Sequence, residues 1–382
     1  MRQSWWMGAV FLAWAMPATA TADDAPRPKE VAALVRQLGA DGFAQREQAQ
    51  RRLIELGEAV RPALARASET PDPEVRWRAR SILATLEKIA YEAEINAYII
   101  KGEVGKLPCV RRYSRMVGTD EAARALFGEM YRAERSLLTL AATRPREASA
   151  AVGARCTELR RTPNARVAGV APALVVGSIA AVLFLDADPR LEVDAQTGTH
   201  LYCLTFRTEF QQAIADAQRS GPLQKLLGAW INEESDAAMT QRKYLVALRN
   251  DVRESLVSVV RRLGDRKPDG PINVNELLIV GRFGGREHVP LLEKLLEDET
   301  VCGNYRIGGK TYVTQTRDVA LAVLVHLAGQ DHAEFGFARI RKNPKTLFTT
   351  HTLGFSKEEQ AVREQAIARW RSRRVEQATK PR

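Results

Sequence analysis

Two stretches of this chain repeat each other thirty residues apart. Ala49, Leu53 and Leu56 return as Ala79, Leu83 and Leu86, and Arg46 returns as Arg76. A spacing of i, i+4, i+7 is one face of a helix. Each copy opens with turn chemistry: Asp41-Gly42 before the first, and Asp72-Pro73 before the second, where Asp can cap free amides and Pro suits the first helical turn. Gly57 ends a helix between them and Pro62 starts a shorter one that returns. A helix pair of this size cannot hide its apolar face alone. It has to lean on the next pair, which is the sequence signature of a solenoid.

The same helix–glycine rhythm recurs at Leu38-Gly39, Leu56-Gly57, Leu263-Gly264, Val280-Gly281 and Ala328-Gly329, each expected to end a helix through a left-handed glycine. Composition agrees with helices: hydrophobic residues are 45% of the chain and charged residues 27%, enough for a core, while aromatics are only 7%. Residues 275–299 carry a helix ending near Gly281, a Gly-Gly turn, and Pro290 in the first turn of a second helix; Arg317-Asp318-Val319-Ala320-Leu321-Ala322 then opens another. On these residues the chain resembles the HEAT-like (armadillo-type) repeat proteins, convincingly over 29–88 and 272–338, and is similar there to exported bacterial HEAT-repeat proteins of unassigned function. The resemblance implies an all-α, α-α superhelix and a binding scaffold; it implies no catalytic residue and no cofactor.

The stretch between is helical by pattern but departs from the repeat. Helices are expected over Thr119–Ala142, 145–161, Pro222–Ile231 and Asp236–Leu263, and a basic last helix over Lys357–Arg374 behind a capping box of Ser356 and Glu359. Ala168–Leu185 has no charge, but Pro172 starts its helix, leaving roughly 21 Å at the usual rise, too short for a hydrocarbon core of ~30 Å. It reads as a buried central helix. One segment is not helical: Tyr305–Ile307, Gly308-Gly309 and Lys310–Thr314 read as a short β-hairpin near 305–314 with a primed turn.

Residues 1–22 read as a signal peptide: Arg2, an uninterrupted apolar run from Trp5 to Met16, the breaker Pro17, and small residues leading to a cleavage site near Ala22. The expected product is an exported protein, periplasmic or secreted, with no transmembrane span in the mature chain. The expected organisation is then a linker at 23–28, N-terminal repeats at 29–90, an irregular helical region at 91–270, C-terminal repeats with the hairpin at 271–338, a basic cap at 339–374 and a disordered tail at 375–382. Cys109, Cys156, Cys203 and Cys302 are far apart with no C-x-x-C, which offers neither a zinc site nor a redox pair; export leaves both a disulfide and buried free thiols open.

No spacing asks for an enzyme. The five histidines form no H-E-x-x-H, there is no G-x-S-x-G, and Gly281–Gly285 lacks the lysine of a phosphate-cradling loop. Acidic pairs such as Glu233-Glu234 and Asp186/Asp188 adjoin helix ends, where caps and solvated turns are expected. Net charge is +11, carried mainly by residues 91–166 and by the last 44 residues, where twelve basic residues face four acidic ones. Arg363, Arg369, Arg371, Arg373 and Arg374 are therefore the candidate anion-binding residues, for an anionic polymer or membrane surface, with nucleic acid disfavoured by export. Trp370 among them, sharing a face with Ile367, reads as the core anchor of that helix. The leading expectation remains a non-catalytic protein–protein interaction scaffold.

Overall fold

A computed structural model describes residues 27–161, 169, 171–266 and 272–379. The segment read as a signal peptide and the last three residues lie outside them. The described chain is mostly helical, with seventeen α-helices and a small antiparallel sheet. It divides into two compact units, residues 1–94 and 95–382.

In the first unit, α1 (Pro28–Gln37), α2 (Phe43–Glu55), α3 (Arg61–Ala67) and the start of α4 (Pro73–Lys101) enclose one core. Val31, Leu38, Ala49, Leu53, Leu64, Ala79, Ile82 and Leu86 are buried in it. The thirty-residue repeat extends to the hydrogen bonds. Arg46 Nη1 donates to the carbonyls of Ala40 (2.7 Å) and Asp41 (2.8 Å), and Arg76 Nη1 donates to those of Thr70 (2.9 Å) and Pro71 (3.4 Å). Each arginine thus ties its helix to the turn that precedes it. Asp72 Oδ1 accepts from the amides of Glu74 and Val75, capping α4 as its place before Pro73 predicts.

In the second unit, α5 (Val110–Val117), α6 (Glu121–Thr143), α7 (Pro145–Arg161) and α8 (Pro172–Asp186) come first. α8 begins at Pro172 as expected and is buried on every side from Val175 to Leu185. At fifteen residues it spans roughly 22 Å. Among the described residues no helix is long and apolar enough to cross a membrane. Gly177 lets α8 touch the backbone of α6, because a Cβ there would sit 2.4 Å from the Glu129 carbonyl oxygen. Opposite this contact α6 is kinked at Glu134 (φ −136°, ψ 37°), whose buried carboxylate accepts from Ser178 Oγ (2.6 Å) and Arg155 Nε (2.7 Å).

Next come α9 (Ala195–Leu204), α10 (Thr208–Ala215), α11 (Ala217–Asn232), α12 (Ala237–Arg249) and α13 (Ser255–Gly264). The single helix expected over Asp236–Leu263 is two, α12 and α13. The chain leaves α12 through Asn250 and a left-handed Asp251 (φ 56°), a conformation that Asn and Asp tolerate better than other side chains. α14 (Val274–Phe283) and α15 (Val289–Glu293) follow, and then α16 (Thr316–Leu327). Val280-Gly281 does not end a helix. Gly281 lies inside α14, where a Cβ would stand 2.5 Å from Leu347 and 3.0 Å from Val323, so a packing contact, not a turn, demands glycine. Gly57 and Gly329, each at φ 67°, do take the left-handed exit.

The hairpin forms where expected. β1 (Val301–Ile307) pairs antiparallel with β2 (Lys310–Gln315), and Gly308 (φ 56°) and Gly309 (φ 81°) make the primed turn. It is larger than the sequence suggests, because β5 (Phe355-Ser356) adds to β2, giving the strand order β1-β2-β5. A second small ladder joins β3 (Lys342-Asn343) to β4 (Leu347-Phe348). The Ser356 amide donates to Glu359, as the capping box predicts, and α17 runs from Gln360 to Thr379, through the first residues of the segment expected to be a disordered tail. Trp370 and Ile367 are buried, with Trp370 Nε1 donating to Glu293 (3.0 Å).

Candidate functional site

A cleft of the second unit lies at the ends of α11–α14. Its central hollow, about 740 Å3, lies between the α11–α12 turn, the end of α13 and the start of α14, with Thr240, Tyr244, Ser258, Arg261, Arg262 and Glu276 on its walls. Through Glu233, Glu234 and Ser235 it adjoins a hollow of about 450 Å3 beneath the 186–194 loop. Through Thr240 and Arg262 it adjoins another of about 360 Å3, which reaches Cys302 and Thr350. The three share wall residues.

The hollows differ in charge. The hollow beneath the loop is lined by carboxylates, several already engaged. Asp194 and Asp236 cap α9 and α12, accepting from the amides of Thr197 (2.7 Å) and Met239 (2.8 Å). Asp188 is buried and held by Arg112 and by Arg190 (2.7 Å). Asp186 accepts from Trp230 Nε1 (2.7 Å), and burial pushes its carboxyl above the usual range against that bond and the pull of Lys243. Lys243 is the cation here, only 3% exposed. Its ammonium lies 5.2 Å over the Trp230 ring and donates to the Glu233 carbonyl (3.1 Å), while burial pulls its pKa down.

The central hollow carries both signs, Arg261, Arg262 and Arg266 together with Glu233, Glu234, Asp265 and Glu276. Arg262 Nε reaches Glu276 (3.1 Å), a 4%-exposed carboxylate that burial raises; Arg266 pairs with Asp298 (2.7 Å). Arg261 lines the hollow without an ion-pair partner among the described residues. Ser258 Oγ donates to the Ser255 carbonyl (3.0 Å), and Glu276 is occupied by Arg262, so hydroxyl and carboxylate are spent on structural bonds. The arrangement can hold charged groups of both signs. Among the described residues no cluster of His, Cys, Asp and Glu is disposed to hold a metal ion. All four cysteines are free thiols, and Cys156, the most buried, is pushed up to about 12 by burial. Burial also lowers His200, His326 and His332, which are engaged by Thr157, the Phe348 ring and the Ala322 carbonyl respectively.

The five candidate anion-binding arginines are brought together on α17, but each is already engaged. Arg363 does not reach the surface at all. It is 4% exposed, and its guanidinium donates to Asp318 (Nε to Oδ1, 2.9 Å), the Val313 carbonyl (2.8 Å) and Gln360 (2.6 Å). Arg369 donates to the Glu334 carbonyl, Arg371 pairs with Glu297, Arg373 with Glu334 (2.5 Å) and Arg374 with Glu293 (2.9 Å). Their carboxylate partners Asp318, Glu297, Glu334 and Glu293 sit roughly forty to eighty positions earlier, so a segment that is strongly basic in sequence is partly neutralised in space.

The acidic pairs Glu233-Glu234 and Asp186/Asp188 look like helix-end residues in the sequence, and Thr240, Tyr244 and Ser258 lie within helices with no spacing that marks a site. One signal was present: Lys243 stands on the stripe Met239, Lys243, Val246, Ala247, where a buried apolar side chain is the norm. No family model, curated protein or solved structure matches the chain.

Proposed function

We propose that the chain is a non-catalytic protein–protein interaction scaffold of HEAT-like repeats, exported to the periplasm or beyond, in which helix pairs stack as an α-α superhelix within each unit and the cleft along α11–α14 receives a charged segment of a partner protein. The cleft carries the reading: neighbouring hollows, one lined mainly by carboxylates and the next by arginines and carboxylates together, suit an extended segment bearing both signs. The repeated Arg46 and Arg76 bonds support the repeat assignment. The N-terminal apolar run supports export. Selection of a random peptide display library on the purified chain tests it. Recovered peptides carry both basic and acidic residues, and Arg261→Glu weakens their binding about tenfold or more. A library that yields no binder, or binders indifferent to Arg261→Glu, overturns the proposal.

The alternative, an anionic polymer or membrane surface bound through α17, rests on the charge of the C-terminal segment, and the carboxylate partners of Arg371, Arg373 and Arg374 weaken it. It requires salt-sensitive retention on a polyanion matrix that falls when Arg369, Arg371, Arg373 and Arg374 are neutralised.

A further inference from the structure

β1 is an edge strand: in the order β1-β2-β5, no strand among the described residues pairs with its outer side. It is also exposed along almost its whole length, with Val301 at 56%, Tyr305 at 44% and Ile307 at 48%. Long exposed edges bearing apolar side chains are templates for another strand. The hairpin fixes which backbone groups are free. In a two-residue turn the flanking pair, Ile307 and Lys310, exchanges both hydrogen bonds, and antiparallel pairs then alternate. Tyr305 and Gly303 therefore bond to Tyr312 and Thr314, while Asn304 and Arg306 direct their N–H and C=O groups outward.

We infer that this edge pairs with β1 of a second copy of the chain, antiparallel about a two-fold axis at Asn304, joining two three-stranded sheets into one of six. The strand is self-complementary in that register. At the centre Asn304 meets Asn304, and the two Arg306 residues fall at opposite ends of the contact, so their charges are kept apart. On the other face Tyr305 lies across from Gly303, an aromatic ring covering a bare backbone. The Tyr305 ring is already oriented by His351, with ring centroids 4.5 Å apart. The irregularity between Val301 and Gly303 ends regular pairing there, which centres the contact on Asn304.

A seven-residue edge is about 24 Å long and buries far less than the ~1,200 Å2 of a tight complex, so the dimer is weak, forming above about 50 μM. Sedimentation of the purified chain under reducing conditions, from about 5 to about 500 μM, tests it. The average mass of the wild type climbs toward the dimer, and exchange of the Asn304 and Arg306 amides slows at least about fivefold at the upper end. Asn304→Pro removes an outward amide that β2 does not use, and stays monomeric. Asn304→Asp, which keeps size and shape, sets two carboxylates face to face on the axis and weakens association about threefold or more, with salt restoring part of it. A wild type that stays monomeric throughout overturns the inference. So does a dimer that both variants form as readily, since its contact then lies elsewhere.

Discussion

Of the five arginines on α17 that the sequence groups together, Arg363 alone is enclosed, and replacing it separates structural from surface roles. Arg363→Met keeps an aliphatic stem but removes the guanidinium, which also lies 5.2 Å over the Phe355 ring, leaving Asp318, 1% exposed, with the Gln315 amide (2.8 Å) as its remaining close hydrogen bond, and leaving the Val313 carbonyl without its arginine donor. Removing one partner of a buried ion pair costs about 3–5 kcal/mol, because the other charge stays buried without compensation. For a unit of this size that lowers the melting temperature by roughly 6–20 °C. Arg371→Ala, breaking a pair whose side chains are 54% and 77% exposed, costs at most about 1 kcal/mol. Circular dichroism melts and urea titrations of both variants give the comparison. Asp318→Leu combined with Arg363→Met recovers at least half of the loss, since a neutral pair needs no desolvation of charge. If Arg363→Met unfolds within about 1 kcal/mol of wild type, or no earlier than Arg371→Ala, the clamp does not hold α17 to α16 as argued.

The same carboxyl makes stability depend on pH. Burial raises Asp318 from 3.8 to about 6 despite Arg363, so the folded chain binds this proton more tightly than the unfolded one, and its contribution falls as pH rises through that interval. Melts at pH 4 to 7 should show wild type losing ground relative to Asp318→Asn, and parallel curves would refute the sign. Arg46→Gln and Arg76→Gln, which cut equivalent bonds thirty residues apart, should each destabilise the first unit by about 1 kcal/mol in urea titration; an effect from only one of them would end the equivalence. Gly177→Ala drives a methyl against the Glu129 carbonyl and should cost about 1–3 kcal/mol, while Gly264→Ala at the end of α13, with nothing within 4 Å, should stabilise by about 0.5–1 kcal/mol. Thermal melts giving the two glycine variants the same sign would contradict the packing of α8 on α6.

Local chemistry was legible in the chain itself. Apolar spacing placed the helices of the first unit, Pro172 marked the start of α8, Ser356 and Glu359 announced the cap of α17, and Gly308-Gly309 announced the turn of the hairpin. Each of these depends on residues within a few positions of one another, where backbone sterics and short hydrogen bonds decide. The break between α12 and α13 was also local, carried by Asn250-Asp251, but the apolar period runs through it and hides it.

What the sequence could not supply were pairings between distant positions. β5 joins β2 from some forty residues away, and Gly281 is required by Leu347, a residue sixty-six positions later. The charge of the last segment misleads for the same reason. Counting residues finds an excess of arginine, whereas folding sets Glu293, Glu297, Asp318 and Glu334 beside them and buries one guanidinium outright. Helix and turn propensities act over one or two turns of chain; electrostatic neutralisation and the walls of a cleft depend on which surfaces meet, and only the packed tertiary structure decides that.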